Sequence, residues 1–188
     1  NAAIDDRGRA WVVFDANAGT RSDELFLARV EKSRSHLVRL TADDGKPSKY
    51  PDLAIDRGRV ALAWFDERDG NEEVYLFVAR AGDLKEGLEQ RAVRVTRTAG
   101  ESIGAYVAWN GSRVGLAWCD NTEGQHEIYF EPFTRDGVAI GAPRRLTHND
   151  TQSLIPALRP VGDGFALAWN EFTHGPAGGH DANGRSEV

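Results

Sequence analysis

The sequence is poor in thiols and in long apolar stretches. Its 188 residues include one cysteine, Cys119, and no methionine. A single cysteine excludes an internal disulfide framework and a thiolate-rich metal site. The longest apolar runs, such as residues 60–65, are far shorter than the roughly 20 residues that a membrane-spanning helix requires. The formal net charge of -6 provides no general attraction to nucleic acid or anionic lipid. We therefore expect no nucleic-acid partner and no membrane span.

The chain contains an internal repeat. Segments that begin at residues 7, 57, 111 and 162 align with one another, the first of them with more divergence. Each contains an anchoring aromatic residue, and these residues lie 50, 54 and 51 positions apart: Phe14, Trp64, Trp118 and Trp169. A period of about 50 residues is typical of propellers and other repeat architectures.

Each unit is predicted to form four short strands. In the second unit these are residues 37–41, 52–56, 59–65 and 73–78, with turn signals between the later strands. The third strand alternates large side chains with alanines, so both faces of the sheet are apolar and both must be covered. Stacked sheets cover both faces, which predicts an all-β fold, a β-propeller of four-stranded antiparallel blades. The expected units are residues 1–30, 36–80, 91–135 and 143–188. Two β-sandwich domains are the alternative, but they would not explain so regular a period.

Two segments share a longer pattern, W-x-D-x-x-x-G-x-x-E-[IV]-Y, at residues 64–75 and 118–129. This pattern resembles the blades of bacterial sialidase-like propellers, whose repeats are called BNR-like or TolB-like. The resemblance covers essentially the whole chain and implies a propeller fold in an exported protein, extracellular or periplasmic. The Asp-box of sialidases, S-x-D-x-G-x-T-W, is absent from every turn where it would be expected. Such blades occur in hydrolases, lectins and scaffolds, so the resemblance leaves the activity open.

The ends of the sequence do not coincide with the ends of a unit. Residue 1 aligns with the start of a second strand, and residue 188 falls inside a fourth strand. A closed ring normally leaves no free sheet edge where its ends meet. We expect that further blades of a longer chain, or a second copy in a homo-oligomer, complete the ring. A four-bladed ring with trimmed ends is the alternative.

Carboxylates recur two residues after the anchoring tryptophans, at Asp66, Asp120 and Glu171. One hypothesis is that Asp66, with Asp69 and Asn71, binds a hard cation, in which case calcium would be the cofactor. The alternative is that each carboxylate accepts hydrogen bonds from its own turn. A feature repeated in every blade usually serves the blade, so the pattern favours the structural interpretation.

Two other charged positions also recur. Glutamates open the fourth strands and arginines end the first strands: Glu24, Glu73, Glu127 and Glu187, with Arg39, Arg94 and Arg145. We expect these residues to pair and to hold the strands in register. A sialidase would need three clustered arginines, an acid/base carboxyl and a tyrosine nucleophile. The arginines best placed for such a cluster are Arg68, Arg97 and Arg144.

Residues that do not recur are better candidates for function, because a blade does not need them. Tyr50, Tyr106 and Trp109 lie near the strands expected to face the funnel, where exposed rings stack on sugars and buried rings form core. Three histidines fall in polar loops, two of them in an insertion in the fourth unit: His148, His174 and His180. We treat these six residues as candidate ligand-binding residues. Cys119, beside an anchoring tryptophan, is expected to be a small buried hydrophobe.

These observations favour a non-catalytic module that binds or assembles with a glycan or a protein, without a catalytic residue of its own. One alternative is a sialidase-like glycoside hydrolase whose catalytic set is completed by blades outside this chain. A second alternative is a purely structural scaffold.

Overall fold

The computed structural model describes residues 1–31, 34–172 and 186–187. Four antiparallel sheets follow one another along the chain. The first contains β1 (Ala2–Ile4), β2 (Ala10–Ala16), β3 (Glu24–Glu31) and β4 (Arg34–Arg39). The second contains β5 (Ser48–Asp56), β6 (Arg59–Asp66), β7 (Glu73–Arg80) and β8 (Val93–Arg94). The third contains β9 (Ser102–Asn110), β10 (Arg113–Asp120), β11 (Glu127–Thr134) and β12 (Arg144–Arg145). The fourth contains β13 (Gln152–Val161), β14 (Gly164–Phe172) and β15 (Ser186–Glu187).

Helical structure is limited, in the described part of the chain, to two short 3-10 turns, Ala81–Asp83 and Leu88–Arg91, both between β7 and β8. Within the same residues, no helix is long and apolar enough to cross a membrane.

One strand of each of the last three predicted units belongs to a different sheet from the one predicted. The segment expected to open the second unit forms β4, which pairs with β3 as the last strand of the first sheet. In the same way β8 pairs with β7 and β12 with β11. The four sheets therefore span residues 2–39, 48–94, 102–145 and 152–187, where the predicted units were 1–30, 36–80, 91–135 and 143–188. The reason is local: the outer edge of the preceding hairpin is unpaired, and the chain reaches that edge first.

The alternation of large and small side chains on β6 determines how the sheets stack. Val60, Leu62 and Trp64 are fully buried, in one cluster with Trp11 and Val13 of the first sheet. Burying a large apolar side chain stabilises the fold by about 1.5–3 kcal/mol. The opposite face of β6 carries Ala61 and Ala63. These alanines pack under the large face of the third sheet, which is formed by Val114, Leu116 and Trp118. Stacking of a large face on a small face is thus confirmed between the second and third sheets, whereas the first sheet presents Trp11 and Val13 at the positions of the two alanines.

The same rule governs the interface between the third and fourth sheets. Gly115 on β10 lies directly under the ring of Phe165 on β14. A Cβ atom at position 115 would stand 2.9 Å from Cδ1 of that ring. Phe165 also packs against Phe130, with ring centroids 5.6 Å apart. Glycine is therefore required at position 115 by close packing, and not by its backbone conformation.

Within the described residues the stack of sheets is not closed. On the first sheet, the face equivalent to the large face of β6 has no described sheet on it, and Phe14 there is 37% exposed. On the fourth sheet the small face is uncovered by any described residue, and Ala166 and Ala168 are exposed. Their counterparts Ala61 and Ala63 in the second sheet are fully buried. The two free faces therefore differ: that of the first sheet carries the anchoring aromatic residue Phe14, and that of the fourth sheet carries the small residues Ala166 and Ala168.

Candidate functional site

We call the first strand of each sheet, β1, β5, β9 and β13, its inner strand, because residues of all four line one cavity. Three of these inner strands share an unusual backbone feature. β5, β9 and β13 are each interrupted by a bulge, where the register of pairing shifts. At the bulge one residue takes a left-handed conformation: Tyr50 with φ 49°, Gly104 with φ 60° and Ile155 with φ 54°. Glycine adopts this conformation freely, but for a tyrosine or a β-branched isoleucine it is costly, at roughly 1–3 kcal/mol. Such strain and such bulges concentrate at functional sites.

Contacts from two sheets hold Tyr50 in this conformation. Its backbone N–H donates a hydrogen bond to Oδ1 of Asp15, at 3.0 Å, from the end of β2. Its ring lies beside Phe65, with centroids 5.5 Å apart. Even so, Tyr50 is 67% exposed, so most of the ring is available to a ligand.

The three bulges border a cavity of about 540 Å³ at one end of the space between the inner strands. We call it the axial cavity. Its lining includes Asn1, Phe14, Asp15, Tyr50, Tyr106 and Ile155. Its volume lies within the roughly 300–1,000 Å³ that is usual for small-molecule sites. Among the described residues that line it, Asp15 is the one carboxylate, and none is an arginine or lysine.

A second, more polar cavity of about 440 Å³ continues along the inner strands, and we call it the channel cavity. Residues from all four inner strands line it. One position of the inner strand differs in every blade. It pairs with Val13, Ala63, Ala117 and Ala168 of the neighbouring strands, and it is occupied, in the same order, by Asn1, Asp52, Tyr106 and Ala157. This position therefore varies from blade to blade, as expected of a position that serves a ligand rather than the blade.

Asp52 and Tyr106 both line the channel cavity. Burial raises the pKa of Asp52, although its Oδ2 accepts the N–H of Val107 at 2.8 Å. Burial also raises the pKa of Tyr106, and the nearby charge of Asp52 adds to that effect. Tyr106 lines both cavities, so it connects the aromatic end of the site to the polar one.

The repeated carboxylates are engaged by the blades themselves. Oδ2 of Asp66 accepts a hydrogen bond from Oγ of Ser48 at 2.8 Å and another from Nε1 of Trp64 at 3.0 Å. It also forms an ion pair with Arg68. Burial would raise the pKa of Asp66, but the hydrogen bond and charge of Arg68 outweigh it, and the pKa is lowered. Asp120 accepts the equivalent serine, Ser102, at 2.7 Å. These contacts support the structural interpretation of the repeated carboxylates.

The two other residues of the cation hypothesis also have protein partners. Asp69 accepts the hydroxyl of Tyr75 and lies 3.0 Å from Nη1 of Arg94. Asn71 uses its amide nitrogen to donate to the carbonyl of Gly100, at 2.7 Å. Within residues 1–31 and 34–172, no group of three or more potential metal-ligating side chains occurs. The cation hypothesis receives no support from this geometry.

The predicted pairing of glutamates with arginines occurs in two sheets. Arg94 contacts Glu73 at 2.9 Å and Arg145 contacts Glu127 at 2.8 Å, each pair within one sheet. Arg39 instead pairs with Glu86.

The other candidate residues are dispersed. Trp109 is 9% exposed, packs between sheets and donates its Nε1 to the carbonyl of Ala54 at 3.1 Å, although it also borders the channel cavity. His148 is exposed in the segment after β12. His174 and His180 lie outside the described residues. Cys119 is 1% exposed, and burial raises the pKa of its thiol to about 12.

The arginines considered for a sialidase site lie in different places. The guanidinium of Arg68 stacks over Tyr75 in the second sheet, with Cζ 4.3 Å from the ring centroid. Arg144 stacks over Phe130 in the third sheet, at 5.7 Å. Arg97 is exposed and donates to the carbonyl of Arg94.

Sequence reasoning missed Asp15, Asp52 and Ile155. One signal could have indicated the bulges: proline follows the left-handed residue in both Tyr50-Pro51 and Ile155-Pro156, at equivalent positions of two units. An X-Pro dipeptide within an apolar strand suggests a bulge or an edge.

Comparison with protein families and with curated protein sequences finds no match. The solved structures with a similar fold include three arabinanases. An endo-arabinase from Bacteroides thetaiotaomicron VPI-5482 is 13% identical with a TM-score of 0.60, over 91% of this chain and 68% of that one. A GH43 endo-arabinanase from Bacillus licheniformis is 14% identical with a TM-score of 0.51, over 93% and 73%. An α-L-arabinanase from Penicillium chrysogenum, complexed with arabinobiose, is 12% identical with a TM-score of 0.59, over 88% and 56%.

The fold is that of a β-propeller. At this level of identity the similarity establishes the architecture of the chain. The propeller is open in the described residues, and both cavities lie along the inner strands of its blades.

Proposed function

We propose that the protein binds a neutral glycan in the axial cavity. The observation that carries this proposal is the exposed ring of Tyr50, held in a strained backbone conformation at the mouth of a 540 Å³ cavity. Aromatic rings present apolar faces on which sugar rings stack, and their polar tips can hydrogen-bond sugar hydroxyls. Strain kept at one position is consistent with a site that holds a ring ready for its ligand.

The charge of the cavity supports a neutral ligand over an acidic one. Asp15 lines it, and no arginine or lysine does so among the described residues. The carboxylate of a sialic acid would meet Asp15 without an arginine or lysine to pair with, and an unpaired anion in a partly desolvated site is costly. One structural neighbour is complexed with arabinobiose, a neutral disaccharide, which is consistent with the same ligand class here.

Calorimetric titration with a panel of neutral disaccharides, including arabinobiose, tests this proposal. Tyr50→Ala removes the exposed ring and should weaken binding about tenfold or more, whereas Tyr50→Phe keeps the ring and should bind nearly as well as the parent. Val138→Ala, at an exposed hydrophobic residue of another hairpin, is the control for nonspecific effects. Equal affinity of the parent and Tyr50→Ala would contradict the proposal, as would preference for sialyllactose.

A glycoside hydrolase is the second candidate, and the raised pKa of Asp52 is what favours it. A general acid needs a carboxyl that stays protonated near the working pH, and burial moves Asp52 in that direction. Glycosidases use two carboxyl groups on either side of the scissile bond. Release of reducing sugar from arabinan, lost in both Asp52→Asn and Asp15→Asn, would favour this candidate over simple binding. Absence of release from a panel of polysaccharides would favour the binding module.

We also propose that one further blade completes the ring. At each interface the face of one sheet that carries the anchoring aromatic residue lies on the opposite face of the sheet before it, which is small in the second and third sheets. A single additional blade of this repeat would contact both free faces. One is the face of the first sheet at Phe14, and the other is the small face of the fourth sheet at Ala166 and Ala168. The arabinanase neighbours are five-bladed propellers, which is consistent with one open place. Light scattering should give a particle of 20.6 kDa, because two copies with four blades each would not fit that place. A mass of twice this value would favour a homodimer instead.

A further inference from the structure

In the second sheet, the side chain of Arg68 fills a space beside the anchoring tryptophan. Its guanidinium lies over the ring of Tyr75, 4.3 Å from the centroid, and pairs with Asp66. Nη1 also donates to the carbonyl of Glu89, at 3.1 Å. This part of the second blade is therefore occupied by the protein's own side chain.

In the third sheet the equivalent space is open. Trp118 and Tyr129 pair across the sheet as Trp64 and Tyr75 do, and Thr122 stands at the position of Arg68. The shorter side chain leaves a cavity of about 290 Å³, which we call the blade-three pocket. Its lining includes Arg97, Thr98, Trp118, Asp120, Thr122 and Tyr129.

Trp118 has a buried hydrogen-bond donor with no acceptor. Its side chain lines the pocket and is 2% exposed, and its Nε1 has no hydrogen-bond partner among the described residues. The matching Nε1 of Trp64 donates to Asp66 at 3.0 Å. Buried polar groups are almost always paired, because leaving one unpaired loses its interaction with water. A ligand that brings an acceptor to Nε1 would remove this cost.

The other polar groups of the pocket decide which acceptor fits. Oδ2 of Asp120 already accepts Oγ of Ser102 and Oγ1 of Thr98, and Oδ1 accepts the N–H of Thr122. A ligand must therefore both accept from Trp118 and donate to a carboxylate or threonine oxygen. A hydroxyl group does both.

A cation is the alternative, since Arg68 places one in the equivalent space. A guanidinium or ammonium group carries no acceptor for the indole N–H of Trp118. The charges of the lining are mixed: Arg97 is positive, whereas Asp120 and Glu123 are negative, and Glu123 pairs with Arg145. Charge therefore does not decide between the two ligands, but a hydroxyl-bearing ligand supplies the acceptor that Trp118 lacks and is the better match.

We propose that the blade-three pocket is a separate subsite for one neutral sugar ring. The ring lies on Tyr129, where the guanidinium of Arg68 lies on Tyr75 in the second blade. One hydroxyl accepts from Nε1 of Trp118, and neighbouring hydroxyls donate to Asp120 and the threonines. None of these residues lines the axial cavity, so this subsite does not depend on the proposed axial site.

The test follows the indole N–H signal of Trp118 in ¹H–¹⁵N NMR spectra of the full chain, identified by its loss in Trp118→Phe. The probes are L-arabinose, D-galactose and D-glucose, with L-arginine as the cationic comparison. At least one sugar should shift this signal in a saturable manner. Thr122→Arg, which supplies the guanidinium found in the second blade, should weaken the binding of that sugar about tenfold or more. Thr122→Ser, which retains the hydroxyl and leaves the space open, should weaken it much less. Tyr50→Ala, in the axial cavity, should leave the shift unchanged.

Three results would overturn the proposal. The first is that no sugar shifts the Trp118 signal, and the second is that L-arginine shifts it and the sugars do not. The third is that Thr122→Arg binds sugar as well as the parent, with a thermal melt that shows it folded. If Thr122→Arg fails to fold, Thr122→Leu takes its place. It fills the same space without a charge and should likewise lower the affinity for the sugar.

Discussion

Asp15 and Tyr50 are joined across two blades. Oδ1 of Asp15, at the end of β2, accepts the backbone N–H of Tyr50, at 3.0 Å, where β5 is bulged and left-handed. Both residues line the axial cavity. The interface between the first two blades therefore also sets the position of the most exposed aromatic ring of the candidate site.

Asp15→Ala should loosen Tyr50 and weaken glycan binding. Loss of a hydrogen bond to a charged acceptor costs about 1.5–3 kcal/mol, part of it in stability and part in the position of the ring. Asp15→Asn retains an acceptor oxygen and should lose less. Urea unfolding measures the stability, and calorimetry on the same variants measures the affinity. If Asp15→Ala binds and unfolds as the parent does, the hydrogen bond has no role in the site.

Gly115→Leu should destabilise the interface between the third and fourth blades. Its side chain would meet the ring of Phe165, which already stands 2.9 Å from the position of a Cβ atom. Overpacking of this kind costs typically 1–3 kcal/mol. Gly82→Ala is the control, since nothing lies within 4 Å of the place that its Cβ atom would take. Thermal unfolding of the two variants should differ by several degrees, and equal midpoints would contradict the tight packing of Phe165 on β10.

Acid should remove part of the stability that Asp66 provides. Its pKa is lower in the folded protein than its usual value, chiefly because burial is outweighed by the hydrogen bond and charge of Arg68. A lowered folded-state pKa gives stability that is present above the unfolded pKa of about 3.9 and is lost as pH falls through the folded value. The free energy of unfolding should therefore fall below about pH 4, and less steeply in Asp66→Asn. The control is Asp163→Asn, at an exposed turn residue, which should follow the parent. Parallel curves for the parent and Asp66→Asn would contradict this role.

Cys119 should be inert in the folded protein. Burial raises the pKa of its thiol to about 12, and the thiolate is the reactive form. A thiol reagent such as dithionitrobenzoate should react slowly at neutral pH and rapidly once urea unfolds the chain. Rapid reaction of the native protein would show that the wall of the axial cavity opens at this residue.

The stacking of the blades could be predicted from sequence because it depends on side-chain size. Alternation of Leu62 and Trp64 with Ala61 and Ala63 requires two covered faces, and the structure covers both. The assignment of the edge strands could not be predicted in this way. A strand as short as Val93–Arg94 has no pattern that distinguishes the sheet before it from the sheet after it.

The candidate site was predicted only in part. Tyr50 and Tyr106 stand out because other units lack them, and both line the axial cavity. The left-handed backbone of Tyr50 and Ile155 arises from tertiary contacts, which override the local preference of these residues. The role of Asp15 depends on a contact between blades, at a separation of 35 residues from Tyr50, and no local pattern encodes it.

The most direct test of the account is a map of amide chemical shifts during titration of the full chain with arabinobiose and the other neutral disaccharides. If the axial cavity binds the glycan, the largest saturable shifts should occur around it, at Tyr50, Gly104, Tyr106 and Ile155, and Tyr50→Ala should reduce them. Shifts confined to the blade-three pocket, or no saturable shifts with any neutral disaccharide, would contradict glycan binding in the axial cavity.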